Sequence, residues 1–216
     1  MTQEANTATT AETTVHFEVD EDNFDIRPPD GQRAFISVWD NVLSDEDCTK
    51  MIELFEDANE HHRKVNTEAR TYTEVNFFDP ELSEKFPEFE EFSMKLLTII
   101  SEYTEMYRRH NNIMFFPGQC VNEEIKMKKY TKGSADDFKY HSDVGDHLSA
   151  KRFVACFFYL NDVEEGGETV FPDYNLSVNP VKGRLAIWPP FWTHPHQCMP
   201  AKSDDKYVVG TYLHYM

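Results

Sequence analysis

The segment His141-Ser142-Asp143 places an imidazole and a carboxylate two residues apart. In an extended strand, residues two apart point to the same face, so both groups can bind one metal ion. A histidine from a distant strand, His194 or His196, would complete a set of two histidines and one carboxylate, which leaves positions open on Fe(II). Zinc accepts the same donor set, and the three residues could also be ordinary hydrogen-bonded side chains.

Lys206 stands ten residues after His196, in the strand-like segment KYVVGTYLHY. An ammonium group in an otherwise apolar strand needs an anionic partner, because a buried unpaired charge is costly. The position therefore predicts an anion-binding lysine, with an exposed lysine on an edge strand as the alternative. A zinc hydrolase would need a general base and would leave Lys206 unexplained.

Two helices are predicted ahead of these residues. Ser44, followed by three acidic residues, is typical of a helix start, and this helix is expected to run to about Arg63. Apolar residues at three- and four-residue spacing from Phe89 to Met106 predict a second, amphipathic helix. Residues 71–78 between the helices are rich in strand formers and predict an extended segment.

From residue 124 onward, short strand-like segments alternate with turn residues. They are EIKMKKY, RFVACFFYL, ETVF, GRLAIW and KYVVGTYLHY. This spacing predicts an antiparallel sandwich or barrel. RFVACFFYL is almost wholly apolar and should be a central strand, and residues 161–167 (NDVEEGG) should form a hairpin loop.

These motifs together resemble the prolyl 4-hydroxylase-like family of Fe(II)/2-oxoglutarate-dependent dioxygenases. The family has an HxD motif, a distal histidine, a proline four residues later and a lysine ten residues later. The matching positions are His141, Asp143, His196, Pro200 and Lys206. His194 fits neither spacing. The tyrosine, glycine and aromatic residue that precede HxD in the family are matched by Tyr130, Gly133 and Phe138, and residues 159–172 are similar to the family's hairpin.

The resemblance implies an α+β fold: a double-stranded β-helix (jelly-roll) barrel with supporting N-terminal helices. It implies that Fe(II) is held by His141, Asp143 and His196. Lys206 would pair with the far carboxylate of 2-oxoglutarate, and the Tyr130 hydroxyl would support it. With O2, and with ascorbate as the expected reductant, such an enzyme hydroxylates a prolyl residue of a peptide or protein and releases succinate and CO2.

The acceptor is the least defined part of this expectation. Four residues separate Gly133 from Phe138, where the family commonly has two, and residues 189–196 (PPFWTHPH) are richer in proline and aromatics than in collagen-modifying enzymes. Another amino-acid residue or a small metabolite is the alternative acceptor, and a non-catalytic binding module is the alternative class. Aromatic residues flanking the motifs could line a substrate groove or pack in the wall; they are Tyr140, Trp188 and Trp192. His194 is expected to be a surface turn residue, with a contact to a metal ligand or to the substrate as the alternative. His147 could be a surface residue or could touch the substrate.

The length of 216 residues predicts one sizeable domain with attachments. We expect a disordered acidic tail in residues 1–25, a helical support region in residues 26–121 and the dioxygenase core in residues 122–216. The formal net charge of -18 disfavours nucleic acid and anionic membranes as partners. The charge is uneven: residues 122–216 have 13 acidic and 11 basic residues, a net charge of -2.

The remaining expectations concern the cellular setting. The amino end lacks the basic start and apolar stretch of a secretory signal, and no segment approaches the roughly 20 apolar residues of a membrane span. A soluble, cytoplasmic protein is therefore predicted. The four scattered cysteines are expected to be reduced thiols. The sequence does not define an oligomeric state.

Overall fold

The computed structural model of the protein describes residues 34–216, so the predicted tail of residues 1–25 lies outside the described residues. Strands and helices alternate along this part of the chain. The strands are β1 Ser37–Trp39, β2 Arg63–Asn66, β3 Thr71–Asn76, β4 Cys120–Asn122, β5 Lys126–Tyr130, β6 Phe138–His141, β7 Arg152–Tyr159, β8 Thr169–Phe171, β9 Leu176–Val178, β10 Leu185–Trp188, β11 His196–Cys198 and β12 Lys206–Tyr215. The helices are α1 Asp45–Asp57, α2 Pro80–Lys85 and α3 Glu88–His110.

The described strands form two antiparallel sheets. The larger sheet has eight strands in the order β1-β10-β7-β12-β5-β3-β2, and β4 also pairs with β12. The smaller sheet has four strands in the order β6-β11-β8-β9. All the pairings among them are antiparallel. The predicted mixture of helices and antiparallel strands is confirmed.

Strand β7 lies in the middle of the larger sheet, as its apolar sequence predicts. It pairs with β10 on one side and with β12 on the other. Residues 153–159 of this strand are all buried. A strand covered on both faces favours a nearly continuous apolar sequence over alternation.

The two faces of the larger sheet pack against different layers. Cys156 and Phe158 of β7 belong to a core cluster that includes the buried residues of α1 and α3. Their neighbours Phe157 and Tyr159 belong to a second cluster, with Phe171 of β8 and residues of β9. Because side chains alternate between the faces of a strand, one face of the sheet meets the helices and the other meets the smaller sheet.

The predicted helix starts agree with the structure. The Ser44 hydroxyl accepts the backbone N–H of Asp47 at 3.1 Å and caps α1, an interaction typically worth about 1 kcal/mol. Helix α3 covers the predicted amphipathic stretch and buries Phe89, Leu96 and Ile100 along one side. That buried stripe fixes α3 against the larger sheet.

The predicted end of α1 near Arg63 is wrong. The helix ends at Asp57, a 3-10 turn follows, and Arg63 already begins β2. The His62 ring packs against the Phe55 ring at a centroid distance of 4.2 Å, and its Nε2 lies 2.7 Å from the Phe55 carbonyl oxygen. This tertiary contact turns the chain back at a point where the sequence has no proline or glycine.

Residues 161–167 do not form the predicted hairpin loop. They follow β7 of the larger sheet and lead to β8 of the smaller one, and these two strands do not pair. Gly166 and Gly167 have φ angles of 75° and 76°, a conformation that suits glycine. The turn residues therefore predicted a turn correctly, but they did not define which strands would pair across it.

Strands from the first half of the chain complete the larger sheet. β1 pairs with β10, and β3 pairs with β5. The region of residues 26–121 thus contributes sheet edges as well as helices within its described part. Its assignment as a support region, separate from a core of residues 122–216, stays a prediction.

All four cysteines, Cys48, Cys120, Cys156 and Cys198, are free thiols. Within residues 34–216, no helix combines the length and the apolar character that crossing a membrane requires.

Candidate active site

The three predicted metal ligands lie together where the smaller sheet faces the larger one. His141 ends β6, Asp143 follows two residues later, and His196 begins β11. His141 and His196 are opposite each other in the β6–β11 pair, with ring centroids 4.5 Å apart. One ligand atom from each of the three residues lies within 4.8 Å of the other two. Because β6 ends at His141, strand alternation is not what orients Asp143.

Backbone carbonyls orient both histidines. His141 Nδ1 lies 2.7 Å from the carbonyl oxygen of Lys139, and His196 Nδ1 lies 3.1 Å from that of His194. A carbonyl can only accept a hydrogen bond, so the neutral form of each ring has its proton on Nδ1 and a lone pair on Nε2. Histidines that bind metals through Nε2 are commonly oriented in this way.

The Nε2 atoms of the two rings point toward Asp143 but do not form good hydrogen bonds with it. The distance from His141 Nε2 to Asp143 Oδ1 is 3.6 Å, and that from His196 Nε2 to Asp143 Oδ2 is 3.7 Å. Both exceed good hydrogen-bond lengths. His141 Nε2 and Asp143 Oδ2 are buried without a hydrogen-bond partner in the described part of the chain. Buried polar atoms are rarely left unsatisfied, and a divalent cation between these donors would satisfy them.

Neighbouring side chains fix the Asp143 carboxylate. The Tyr212 hydroxyl donates to Oδ1 at 2.6 Å, and Arg152 donates to the Asp143 carbonyl oxygen at 2.9 Å. Burial would raise the pKa of Asp143, but His196, His141 and the Tyr212 hydrogen bond hold it well below its ordinary value. Burial lowers the pKa of His196, against the opposing effect of Asp143. Both shifts favour the metal-binding forms, a carboxylate and a neutral imidazole.

Lys206 is completely buried in the same space as the metal cluster. Its Nζ donates to the carbonyl oxygen of Gly167 at 2.6 Å and lies 4.7 Å from the centre of the Tyr130 ring. Among the described residues, no carboxylate lies within 4 Å of this ammonium group. Burial lowers the pKa of Lys206, while the Cys198 thiol opposes this shift. The alternative of an exposed edge-strand lysine is wrong, because β12 lies between β7 and β5.

The inner cavity is the space bounded by the three ligands, Lys206, Tyr130 and Trp188. Tyr130 is opposite Lys206 in the β5–β12 pair. Burial raises the pKa of Tyr130 well above its ordinary value, so its hydroxyl stays protonated and can donate a hydrogen bond. Tyr159 and Thr169 also line the cavity, with their hydroxyl oxygens 2.7 Å apart.

The flanking aromatic residues divide into two groups. Trp188 is buried, and its ring lies parallel to Phe157 at a centroid distance of 5.4 Å, so it packs in the wall. Trp192 is 81% exposed and Tyr140 is 52% exposed. These two remain candidates for contact with a substrate.

His194 is buried, so its expected position in a surface turn is wrong. Its Nε2 lies 2.5 Å from the Ala34 carbonyl oxygen, and its Nδ1 lies 2.9 Å from the Thr193 hydroxyl. Both ring nitrogens are therefore occupied, which leaves His196 as the available ligand. His147 is exposed in the loop after Asp143.

Three further residues line this region without a role that the sequence predicts. Tyr212, Arg152 and Lys128 each lie in a predicted strand segment, where nothing in the local pattern distinguishes them. Lys128 precedes Tyr130 by two residues, so strand alternation already placed the two side chains on one face. The contacts of Tyr212 and Arg152 depend on the pairing of distant strands.

Residues 125–214 match the sequence model of the 2OG-Fe(II) oxygenase superfamily. This part of the chain is therefore similar to that superfamily, and it is named the oxygenase region after the match. All the metal-cluster residues, Lys206 and Tyr130 lie within the oxygenase region. The predicted resemblance to prolyl 4-hydroxylase-like Fe(II)/2-oxoglutarate dioxygenases is confirmed.

Curated relatives of the chain are subunits of prolyl 4-hydroxylase. The chain is 30% identical over 108 residues to prolyl 4-hydroxylase subunit alpha-1 of Gallus gallus and 29% identical over 108 residues to that of Homo sapiens. Each match covers 43% of this chain and 20% of the relative. The chain thus spans about a fifth of the length of these relatives.

Solved structures share the fold over more of the chain. The viral collagen prolyl hydroxylase of Paramecium bursaria Chlorella virus-1, solved with 2OG, has a TM-score of 0.61 at 19% identity and covers 87% of this chain and 98% of its own. A prolyl hydroxylase of Trichoplax adhaerens, solved with a hypoxia inducible factor peptide fragment, has a TM-score of 0.61 at 16% identity, with 84% of each chain covered. At such identities the likeness concerns the fold.

Proposed function

We propose that the protein is an Fe(II)- and 2-oxoglutarate-dependent dioxygenase that hydroxylates a prolyl residue of a peptide or protein, with release of succinate and CO2. One observation carries the proposal: an unsatisfied cluster of two histidines and one carboxylate shares a cavity with a buried lysine that lacks a carboxylate partner within the described chain. The cluster alone would suit zinc, and the lysine alone would suit any anion. Together they suit a metal that binds a dicarboxylic keto acid.

The proposed architecture is a double-stranded β-helix, or jelly-roll barrel, with helices against its outer face. Two antiparallel sheets that share a core support it. The fold likeness to solved prolyl hydroxylases supports it as well. In this arrangement the two histidines of the metal cluster belong to the smaller sheet and Asp143 follows its strand β6, while Lys206 and Tyr130 belong to the larger sheet.

Each residue of the inner cavity has a proposed role. His141, Asp143 and His196 would hold Fe(II), with Tyr212 fixing the carboxylate. Lys206 would pair with the far carboxylate of 2-oxoglutarate through a charge-assisted hydrogen bond. Tyr130 would donate to that carboxylate through its protonated hydroxyl.

When bound, Fe(II) and 2-oxoglutarate would supply the oxygen chemistry: 2-oxoglutarate and O2 give succinate and CO2, and one oxygen atom converts a C–H group of the acceptor into C–OH. The protein contributes orientation and exclusion of water. Trp188, Phe157 and Phe171 pack around His196 and the inner cavity and keep this side apolar. Ascorbate is the proposed reductant that keeps the iron in its ferrous state.

The test uses purified protein with Fe(II), ascorbate, 2-oxoglutarate and a panel of proline-rich peptides. Succinate is measured by NMR, and each peptide is analysed by mass spectrometry. We expect succinate and the gain of one oxygen atom on proline. His141→Ala should abolish both, whereas His147→Ala, which changes an exposed histidine in the adjacent loop, should retain them.

Two other results would redirect the assignment. Succinate with oxygen on a different residue, or on a small metabolite, would change the acceptor but keep the reaction class. A yield of succinate no higher than that of His141→Ala would contradict the dioxygenase itself and favour a zinc protein or a non-catalytic binding module.

A further inference from the structure

A second space of about 200 Å³, the outer cavity, opens beside the inner cavity. Side chains of β3, β5, β6, β7 and β12 line it, and His141, Asp143 and Lys128 are among the residues that line both cavities. An acceptor substrate in the outer cavity would therefore lie next to the metal cluster.

Most charged side chains of the outer cavity are already paired. The pairs are Arg63 with Glu74, Arg152 with Glu123 at 2.8 Å, and Lys126 with Glu124 at 3.5 Å. The remaining acid that lines this space is Asp143, which the metal cluster and Tyr212 engage. The described acids of the cavity are thus committed, and two basic residues are left, Lys128 and Arg70.

Lys128 lies between two aromatic rings without an ion-pair partner. Its Nζ is 5.2 Å from the centres of the Tyr72 and Phe157 rings. Glu74 is opposite Lys128 in the β3–β5 pair, but its carboxylate binds Arg63. No carboxylate in residues 34–216 lies within 4 Å of Lys128. Aromatic rings stabilise a cation only partly, so an anion in the outer cavity would complete its surroundings.

Arg70 borders the same space from the exposed side. Its guanidinium lies 5.5 Å from the centre of the Phe138 ring, and Phe138 lies parallel to the His141 ring at a centroid distance of 3.4 Å. Arg70 likewise has no carboxylate within 4 Å in the described chain. Two cations without a carboxylate partner, one half-buried and one exposed, therefore border the approach to the metal cluster.

We propose that Lys128, assisted by Arg70, binds a carboxylate of the acceptor substrate. This inference rests on the proposed dioxygenase function and narrows its substrate class. The carboxylate could belong to an Asp or Glu side chain beside the hydroxylated residue of a peptide, or to the free carboxylate of a small amino acid. In both cases the substrate carries its negative charge into the outer cavity, while the carboxylate of 2-oxoglutarate pairs with Lys206.

The opposing explanation is that Lys128 only packs between Tyr72 and Phe157. A packing lysine would affect stability, but it would not distinguish an acidic substrate from its neutral amide. A lysine that binds 2-oxoglutarate would change the KM for 2-oxoglutarate. Acceptor discrimination therefore separates the proposal from both explanations.

The experiment compares acids with their amides as acceptors, measured by succinate formation. One arm uses proline peptides that differ only in Asp against Asn, or Glu against Gln, next to the proline. The other arm uses free L-proline against L-prolinamide. In one of the two arms, we expect the kcat/KM of the wild type to be at least about tenfold higher for the acid than for its amide. The arm with this difference identifies the source of the carboxylate.

The variants assign this preference to Lys128. Lys128→Met should reduce the ratio of kcat/KM for the acid to that for the amide to near unity, with an unchanged KM for 2-oxoglutarate. Lys128→Arg should keep the ratio of the wild type. Lys126→Met removes an already paired charge from the same strand face and should also keep it. Should Lys128→Met fail to fold, Lys128→Gln replaces it.

Equal use of acid and amide by the wild type, or a preference that persists without the Lys128 charge, would overturn the inference while leaving the dioxygenase intact. Absence of succinate with every acceptor would instead contradict the proposed function, and the inference with it.

Discussion

Among single residues, Lys206 combines a cost in folding stability with a proposed role in binding 2-oxoglutarate. Its ammonium group is completely buried and has a carbonyl and aromatic rings as neighbours, but no carboxylate among the described residues. A buried charge without a counter-ion costs on the order of several kcal/mol. A ligand carboxylate would recover part of that free energy, so stability and ligand binding should respond in opposite directions when the charge is removed.

Lys206→Met keeps the length of the side chain and removes its charge. We expect the KM for 2-oxoglutarate to rise roughly 10- to 100-fold, because a hydrogen bond to a charged group contributes about 1.5–3 kcal/mol. Mn(II) affinity, measured by electron paramagnetic resonance, should stay unchanged, and the ligand-free variant should unfold at a higher urea concentration. Lys202→Met, which removes an exposed charge nearby, should alter none of these quantities. Equal losses of Mn(II) and 2-oxoglutarate binding would show that Lys206 is structural.

The same substitution should change how stability depends on pH. Burial lowers the pKa of Lys206, so the unfolded chain binds more protons at this site than the folded protein does. The free energy of unfolding should therefore rise with pH between the lowered pKa and the ordinary lysine value of about 10.4. In urea unfolding measured across this pH range, the free energy of unfolding should rise less for Lys206→Met than for the wild type. The same dependence on pH in both proteins would contradict the prediction.

At the level of secondary structure, local patterns located the elements and tertiary contacts decided their ends and partners. The apolar sequence of β7 and the cap at Ser44 were sufficient to predict a central strand and a helix start. The end of α1 depends on the contact of His62 with Phe55, which no local pattern records. Turn residues predicted a reversal at residues 161–167, but the pairing of β8 with β11 depends on strands far along the chain.

The connection between β7 and β8 should be sensitive to an added methyl group at Gly166. A Cβ atom there would overlap the carbonyl oxygen of Pro200, and the φ angle of 75° disfavours other residues. We expect Gly166→Ala to lower the free energy of unfolding by about 2 kcal/mol or more, as measured by urea unfolding. The KM for 2-oxoglutarate should rise too, because the neighbouring Gly167 carbonyl holds Lys206.

Gly118→Ala is the matched control for this prediction. A Cβ atom at Gly118 would meet no atom within 4 Å, and its backbone has no positive φ angle. Its stability should therefore stay within about 0.5 kcal/mol of the wild type. If Gly166→Ala were equally harmless, the connection would have to be much more adaptable than its backbone conformation implies.

At the level of the whole molecule, the net charge of -18 and the site chemistry concern different parts of the chain. Residues 122–216 carry 13 acidic and 11 basic residues, and they hold both Lys128 and Lys206. The long-range field of the chain opposes an anionic ligand, whereas the cavities supply cations at short range. Screening by salt acts mainly on exposed charges, so recognition inside the cavities depends on local contacts.

The residues of the proposed site come from both sheets, so the molecules that they would bind connect the two sheets. His141 and His196 belong to the smaller sheet, whereas Lys206 and Tyr130 belong to the larger one. A bound metal and 2-oxoglutarate would together span the space between them. Ligand binding should therefore stabilise the folded chain as a unit, since a ligand that binds only the native state raises the free energy of unfolding.

Thermal unfolding without oxygen tests this consequence, with Mn(II) and 2-oxoglutarate added one after the other. At 100 times its Kd, a ligand contributes about 2.7 kcal/mol, which corresponds to a rise in Tm of roughly 5–10 °C for a chain of this size. His196→Ala should lose both increments, because 2-oxoglutarate is proposed to bind partly through the metal that His196 would hold. Lys206→Met should keep the Mn(II) increment and lose most of the second one. If Lys206→Met kept the full rise in Tm on addition of 2-oxoglutarate, then 2-oxoglutarate would bind without Lys206 of the larger sheet. In that case 2-oxoglutarate would not link the two sheets.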